Sequence, residues 1–224
     1  MATPQNSKPT LGYWKIRGLA SQIRYEMVYL GVDFDEHHYE QGDAPDFDRG
    51  QWISVKDSLG LKFPNLPYLL DGDLKLTETN AIMKYIAHKY GSHLLGGDAT
   101  TIAKVEMVAG VVNDLKGAVT MPCYTGSSAE SITGNLLEKV RPIVEFMGDK
   151  KFLVGEEPTY VDFTMFELIE LMQFVSQGAL FVRYPKLEVY SNRITSLPRL
   201  CEYYADDSRC MKRPFNNKVA KINN

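Results

Sequence analysis

The chain has 224 residues, long enough for a substantial core and for one or two domains. Hydrophobic residues make up 44% and charged residues 24%, ordinary values for a globular protein. Its 25 basic against 28 acidic residues give a net charge of −3, which argues against nucleic acid as the main partner; no apolar run reaches the roughly 20 residues that cross a bilayer, which argues against a membrane span.

The polar start, MATPQNSKPT, lacks the apolar segment of a secretory signal. The three cysteines (Cys123, Cys201, Cys210) form no Cys-x-x-Cys pair, and a sparse, odd set suits reduced thiols in the cytosol. A cytoplasmic location is therefore expected. His37, His38, His88 and His93 show no ligand spacing, so no metal is expected.

TLGYW predicts a first strand over 10–14. Ile23, Met27 and Leu30 then fall at helical spacing, with Gly31 as a stop. VDFDEHHYE alternates and predicts a second strand, which suggests a right-handed βαβ unit. After the polar loop GDAPDFDRGQW, the stretch LPYLLDGDLKLTE predicts an antiparallel hairpin around Asp71-Gly72-Asp73. TNAIMKYIAHKYG predicts a helix with Gly91 as terminator. The order βαβ, loop, ββα describes a mixed four-stranded sheet with helices on its faces, the thioredoxin-like α/β plan.

The remainder reads as all-helical. A stripe of Ile102, Val105, Val108, Val112, Leu115 and Val119 runs until Pro122. A second helix carries Ile132, Leu136, Val140, Val144 and Met147, and Pro142 within it predicts a kink or an early end. TYVDFTMFELIELMQFV opens with Thr159-x-x-Asp162, resembling a capping box, and its apolar character predicts a buried central helix. PKLEVYSNRITSLP and PRLCEYYADDSRC predict two more. The expected division is a thioredoxin-like domain over 1–90, a linker over 91–97 and an all-helical domain over 98–224.

Four features of the first part could carry chemistry. Tyr13 ends the first strand, where open α/β sheets place their crevices. The stretch Tyr13-Trp14-Lys15-Ile16-Arg17-Gly18 stands where a thioredoxin-type fold carries its redox cysteines, so disulfide exchange is not expected. A neutral phenol donates one hydrogen bond, and a bond donated to a sulfur anion favours the anion over the thiol. Asn65-Leu66-Pro67 predicts a turn leaving the Leu66 N–H and C=O free to pair with an extended peptide. Glu78-Thr79 opens a helix, where a hydroxyl and free N–H groups suit a carboxylate and Glu78 suits an ammonium. Arg49, Trp52 and Lys56 recur at three- and four-residue steps and, on a helix, could hold a second carboxylate. Each feature also has a plain account: a core aromatic, a proline-ended loop, a helix cap, a solvated loop. Together they describe a ligand with a carboxylate at each end, an ammonium at one and a thiol between.

Glutathione has that layout. On LGYWKIRGLA, GDAPDFDRGQW, FPNLPYLLDG, NAIMKY, MPCY and TYVDF the chain resembles a cytosolic glutathione S-transferase of the mu class. The resemblance is dense over residues 10–90 and thinner through the helical half. It implies a homodimer that conjugates glutathione, its co-substrate, to small apolar electrophiles, with no permanently bound cofactor. By matching position, Tyr13 stabilises the thiolate; Trp14, Arg49, Trp52 and Lys56 hold the glycine end; Asn65 and Leu66 contact the middle, with Pro67 cis. Glu78 and Thr79, which replace the family's usual glutamine and serine, take the γ-glutamyl end. Asp114 matches an acid that reaches across the dimer. Ile16, Leu19 and Tyr124 line the electrophile pocket, where Tyr124 is either an acid or a wall. Phe63 matches an aromatic key inserted into the partner subunit. Asn216 and Asn217 stand where an apolar or small lining is usual.

A carrier of hydrophobic ligands or a glutathione-dependent isomerase could share this fold. Tyr13→Phe separates these readings: both enzymes lose turnover, whereas a carrier keeps its ligand affinity.

Overall fold

The structure is a computed structural model that describes residues 8–223; the polar start read above, up to residue 7, lies outside the described residues. The chain runs β1 (Thr10–Trp14), α1 (Ser21–Tyr29), β2 (Asp35–Tyr39), α2 (Gly50–Ile53), β3 (Tyr68–Asp71), β4 (Leu74–Thr77) and α3 (Thr79–Tyr90). The strands form one mixed sheet in the order β2-β1-β3-β4. β1 is parallel to β2 and antiparallel to β3, and β3 and β4 form the expected hairpin. β1 is thus a central strand, and its carboxyl end delivers Tyr13 and Trp14 to the sheet's edge. Gly12 is required there: a Cβ at that position would lie 2.0 Å from the Tyr68 ring across the β1–β3 pair. β2 is an edge strand, with only Tyr39 buried.

A single 3₁₀ turn, Ser92–Leu95, leads into α4 (Ala99–Thr125), α5 (Ala129–Met147), α6 (Tyr160–Val175), α7 (Ala179–Arg183), α8 (Pro185–Thr195) and α9 (Leu200–Ala205). α6 is the buried central helix, and its start is fixed by one carboxylate. Asp162 accepts hydrogen bonds from the Thr159 N–H at 2.7 Å, the Thr159 hydroxyl at 2.8 Å, the Leu153 N–H at 2.9 Å and the Tyr190 hydroxyl at 2.7 Å. A buried carboxylate is tolerated when its lone pairs are filled in this way. α1 packs against both α3 and α6, so one helix joins the sheet to the helical half.

Gly91 ends α3 as expected; its φ is −166°, and a Cβ there would meet a Leu30 methyl at 2.2 Å. Close approach, not backbone handedness, selects glycine here. Pro122 and Pro142 neither end nor shorten their helices; α4 and α5 run through them. Burial of Ile132, Leu136, Val140, Ile143 and Met147 along one face of α5 outweighs the local cost of the proline. α7 and the 3₁₀ turn are too short to show a hydrophobic period, and the sequence reading missed both.

Candidate active site

At the end of β1 the chain turns back over Tyr13. The turn needs Gly18, which has φ +44° and would place a Cβ 2.6 Å from the phenol oxygen. It also delivers the Leu19 N–H, which donates to the Tyr13 oxygen at 3.0 Å. A phenol has one proton to donate. With its oxygen already accepting from the backbone, the proton is left for another partner. Burial pushes the Tyr13 pKa well up, against a smaller lowering by the Leu19 N–H. Tyr13 is therefore a protonated donor at neutral pH, not a base.

Tyr13 faces a cavity of about 200 Å³ that it shares with Ile16, Leu19, Tyr124 and Asn216. Tyr124, near the end of α4, has the same arrangement as Tyr13. Its oxygen accepts the Asn217 N–H at 3.1 Å, and burial raises its pKa. Two phenol donors thus meet one small chamber, each with its oxygen held by a backbone amide.

The C-terminal segment closes this chamber. The Arg17 N–H donates to the Pro214 carbonyl at 2.9 Å and the Gly18 N–H to the Phe215 carbonyl at 3.0 Å. On the other side, the N–H groups of Lys221 and Ile222 donate to the Cys123 carbonyl. Asn216, suspected of making the pocket polar, has a different use: its side-chain amide donates to the Ile222 carbonyl at 3.0 Å and shapes the tail itself. The Asn217 side-chain oxygen is buried and has no hydrogen-bond partner among the described residues.

Beneath the turn lies a buried ion pair. Arg17 Nη2 donates to Glu167 Oε2 at 2.7 Å, Arg17 Nε reaches both carboxylate oxygens at 3.2 Å, and the guanidinium lies 4.3 Å over the Phe215 ring. Burial raises the Glu167 pKa and the Arg17 charge lowers it. The pair pins the β1–α1 turn to α6 and to the tail.

The other candidates gather beside the end of β1, because Tyr68, which opens β3, pairs with Gly12. Leu66–Pro67 is cis. The Asn65 amide donates to Glu78 Oε1 at 3.4 Å, which brings the turn and the start of α3 together. The expectation of a free Leu66 N–H is corrected: Asn65 Oδ1 accepts from it at 2.9 Å, because an Asn oxygen readily caps a neighbouring amide. The expected Thr cap is corrected too. Glu78 is the N-cap of α3, with φ +71° and no side-chain capping bond, and Thr79 is the first helical residue. The first N–H groups of α3 are left facing outward, the arrangement that attracts an anion. A non-glycine residue at such a φ stores strain, a condition found at ligand clamps.

α2 covers only Gly50–Ile53, but the Lys56 N–H still donates to the Trp52 carbonyl at 3.0 Å, so the turn continues. Trp52 is buried, stacked on Tyr68 with ring centroids 6.1 Å apart, while Arg49 is exposed and Lys56 half-buried. Asp114 is exposed on α4. Phe63 is 77% exposed on the loop before β3. On the α4–α5 face, Met107, Val111, Pro142 and Phe146 line an apolar cavity of about 180 Å³.

Sequence reasoning missed Glu167, Lys116, Thr120 and Phe215 as parts of the chamber, and Arg17 as the partner that holds Glu167. One signal was available: Lys116, Thr120 and Tyr124 recur every four residues along a single helix face. The pairing of Arg17 with Glu167 spans 150 residues and leaves no local trace.

Family models agree with this architecture. Residues 9–88 match the glutathione S-transferase N-terminal domain, and residues 114–207 match the glutathione S-transferase C-terminal domain. The chain belongs to the glutathione S-transferase family. Glutathione S-transferase Mu 4 of Mus musculus is 37% identical over 96% of this chain and 98% of its own length. A glutathione S-transferase of Dermatophagoides pteronyssinus is 36% identical over 97% and 98%. The crystal structure of the glutathione S-transferase Blo t 8 superposes with a TM-score of 0.85 at 30% identity, covering 96% of this chain and all of that one. Within the family, the mu-class relatives bear out the class that the sequence resembles.

Proposed function

We propose that this enzyme attaches the glutathione sulfur to small apolar electrophiles, with the Tyr13 hydroxyl donating a hydrogen bond to the thiolate. The observation that carries the reading is the bond from the Leu19 N–H to the Tyr13 oxygen, which leaves the phenolic proton for the chamber. A thiol with a pKa near 8.5 is only about 3% ionised at pH 7. One aimed donor shifts that balance toward the nucleophile, and the chamber holds the electrophile beside it.

Glutathione lies along the crevice from Trp14 to α3. Arg49, Trp52 and Lys56 take its glycine carboxylate, with Trp14 beside them. Asn65 and Leu66 contact its middle. The open start of α3, with Thr79, takes the γ-glutamyl carboxylate, and Glu78 its ammonium. With the Leu66 N–H held by Asn65, either the Leu66 carbonyl makes the peptide contact or Asn65 swings away on binding. Ile16, Leu19 and Tyr124 form the electrophile pocket, and Tyr124 donates to a leaving group or a nascent oxyanion.

The functional unit is a cytoplasmic homodimer without a bound cofactor. Phe63 of each subunit enters the apolar α4–α5 cavity of the other, and Asp114 reaches the partner's glutathione. The support is an exposed phenylalanine on the loop before β3 and an apolar cavity lined by α4 and α5, two complementary features of one chain that can pair under two-fold symmetry. The working division is residues 1–90 for glutathione and 98–224 for the electrophile, joined by 91–97. Tyr13→Phe tests the core of the proposal. Conjugation should fall about a hundredfold or more while glutathione still binds; undiminished turnover would overturn it.

A further inference from the structure

Lys116 projects from α4 into the same chamber as Tyr13 and Tyr124, one and two helical turns before Thr120 and Tyr124 on one face. Its Nζ donates at 2.8 Å to Oε1 of Gln22, a buried side chain of α1. That acceptor is a neutral amide, so it fixes the direction of the ammonium without cancelling its charge. The other charged group of the chamber wall, Glu167, is engaged by Arg17 through a forked contact. Lys116 thus remains as a held cation beside two phenols in a space of about 200 Å³. Burial lowers its pKa to about 8, with Glu167 opposing, which leaves it mainly protonated at pH 7 and a readier acid than a solvated lysine. Stabilisation of a thiolate by Tyr13 makes no use of this group.

The geometry points to Lys116 as a catalytic acid that selects electrophiles generating an oxyanion, α,β-unsaturated ketones and aldehydes above all, with Gln22 as its positioning residue. The inference rests on the conjugating function proposed above. The step is an addition. The thiolate sulfur bonds to the β-carbon, the C=C π pair shifts to form a double bond between the α-carbon and the carbonyl carbon, and the carbonyl π pair moves onto the oxygen. The Lys116 ammonium gives its proton to that oxygen, the enol tautomerises to the saturated ketone, and solvent returns a proton to the amine. Displacement at a benzyl halide expels halide and builds no oxyanion, so it draws on Lys116 far less.

The test compares kcat/KM for an enone and for a benzyl halide, with glutathione, in wild type, Lys116→Met, Lys116→Arg and Gln22→Leu. The enone-to-halide ratio should fall at least about tenfold in Lys116→Met. It should fall less in Gln22→Leu and recover in part in Lys116→Arg, which keeps a cationic donor. The ratio cancels any general loss of folded enzyme. A ratio unchanged in Lys116→Met, or a wild type that conjugates the halide but not the enone, overturns the assignment. A wild type that conjugates neither overturns the conjugating function itself, so the two failures are distinct.

Discussion

The two halves of the proposed site, a thiolate end and an electrophile end, are built differently. The thiolate end is made of neighbours: Tyr13 is oriented by Leu19 and crowded by Gly18, all within one turn. The electrophile end is assembled from four distant pieces, the β1–α1 turn, α4, α6 and the tail over 214–217. A local device is hard to break without touching it, whereas an assembled one depends on every strut. The thiolate end should therefore respond to substitution in rate, and the electrophile end in stability first.

The strongest strain on that contrast is Arg17→Met. It strands the buried Glu167 carboxylate and should cost about 3–5 kcal/mol in denaturant unfolding. Combining it with Glu167→Leu should recover part of the loss, since the buried carboxylate goes with its partner and only the more exposed Glu170, 3.6 Å from Arg17, loses its cation. If Arg17→Met unfolds like wild type, the pair is not the strut between halves.

Tyr13→Phe comes next, and works the other way. It should leave the unfolding midpoint within about 1 kcal/mol of wild type, because the only partner removed is the Leu19 N–H. The loss should appear in kcat/KM, about a hundredfold or more. A Tyr13→Phe protein that is mainly destabilised would erase the distinction between the two ends.

Glu26 sharpens the comparison by supplying a buried acid outside either end. Both its oxygens, on α1, are buried and have no hydrogen-bond partner among the described residues, and burial pushes its pKa well above the ordinary carboxyl range. Between the unfolded and folded pKa values the unfolded chain binds fewer protons than the native one, so this group takes stability away as pH rises. Glu26→Leu should therefore stabilise the protein by about 1–3 kcal/mol, more at pH 8 than at pH 5, with turnover unchanged. Urea midpoints at the two pH values check it; a destabilised variant would show that Glu26 has a partner.

The smallest effect is expected at the tail's outer tie. Lys218 Nζ meets Asp43 Oδ1 at 2.6 Å, and both side chains are largely exposed. Lys218→Ala should change the KM for the electrophile by no more than a few-fold, and added salt should shrink even that. A large change would mean that this outer tie, and not only the contacts to the β1–α1 turn and to Cys123, sets the position of the tail.

The same contrast explains what the sequence disclosed. The sheet, its hairpin and the central helix were legible, because β1, the Asp71-Gly72-Asp73 turn and Thr159-x-x-Asp162 are contiguous signals. So were the place of Tyr13 near the end of β1 and the cis bond at Leu66–Pro67. Proline, by contrast, misled where it was read as a stop: α4 and α5 run on through Pro122 and Pro142, where packing between helices outweighs a rule derived from isolated ones. The Leu66 N–H could not be foreseen as occupied, since Asn65 can take several rotamers and only the folded turn selects one. The wall of the electrophile chamber was least legible: Arg17 and Glu167 become partners only when the β1–α1 turn lies on α6.

The central claim is that the Tyr13 proton holds a bound sulfur as its anion. Ultraviolet absorbance of the thiolate, titrated on the glutathione complex of wild type and of Tyr13→Phe, tests it directly. The wild-type complex should show thiolate at pH 7, with a midpoint below the free-thiol value near 8.5. Tyr13→Phe should move that midpoint up by at least about one unit with glutathione still bound. Superimposable titrations of the two complexes would contradict the account.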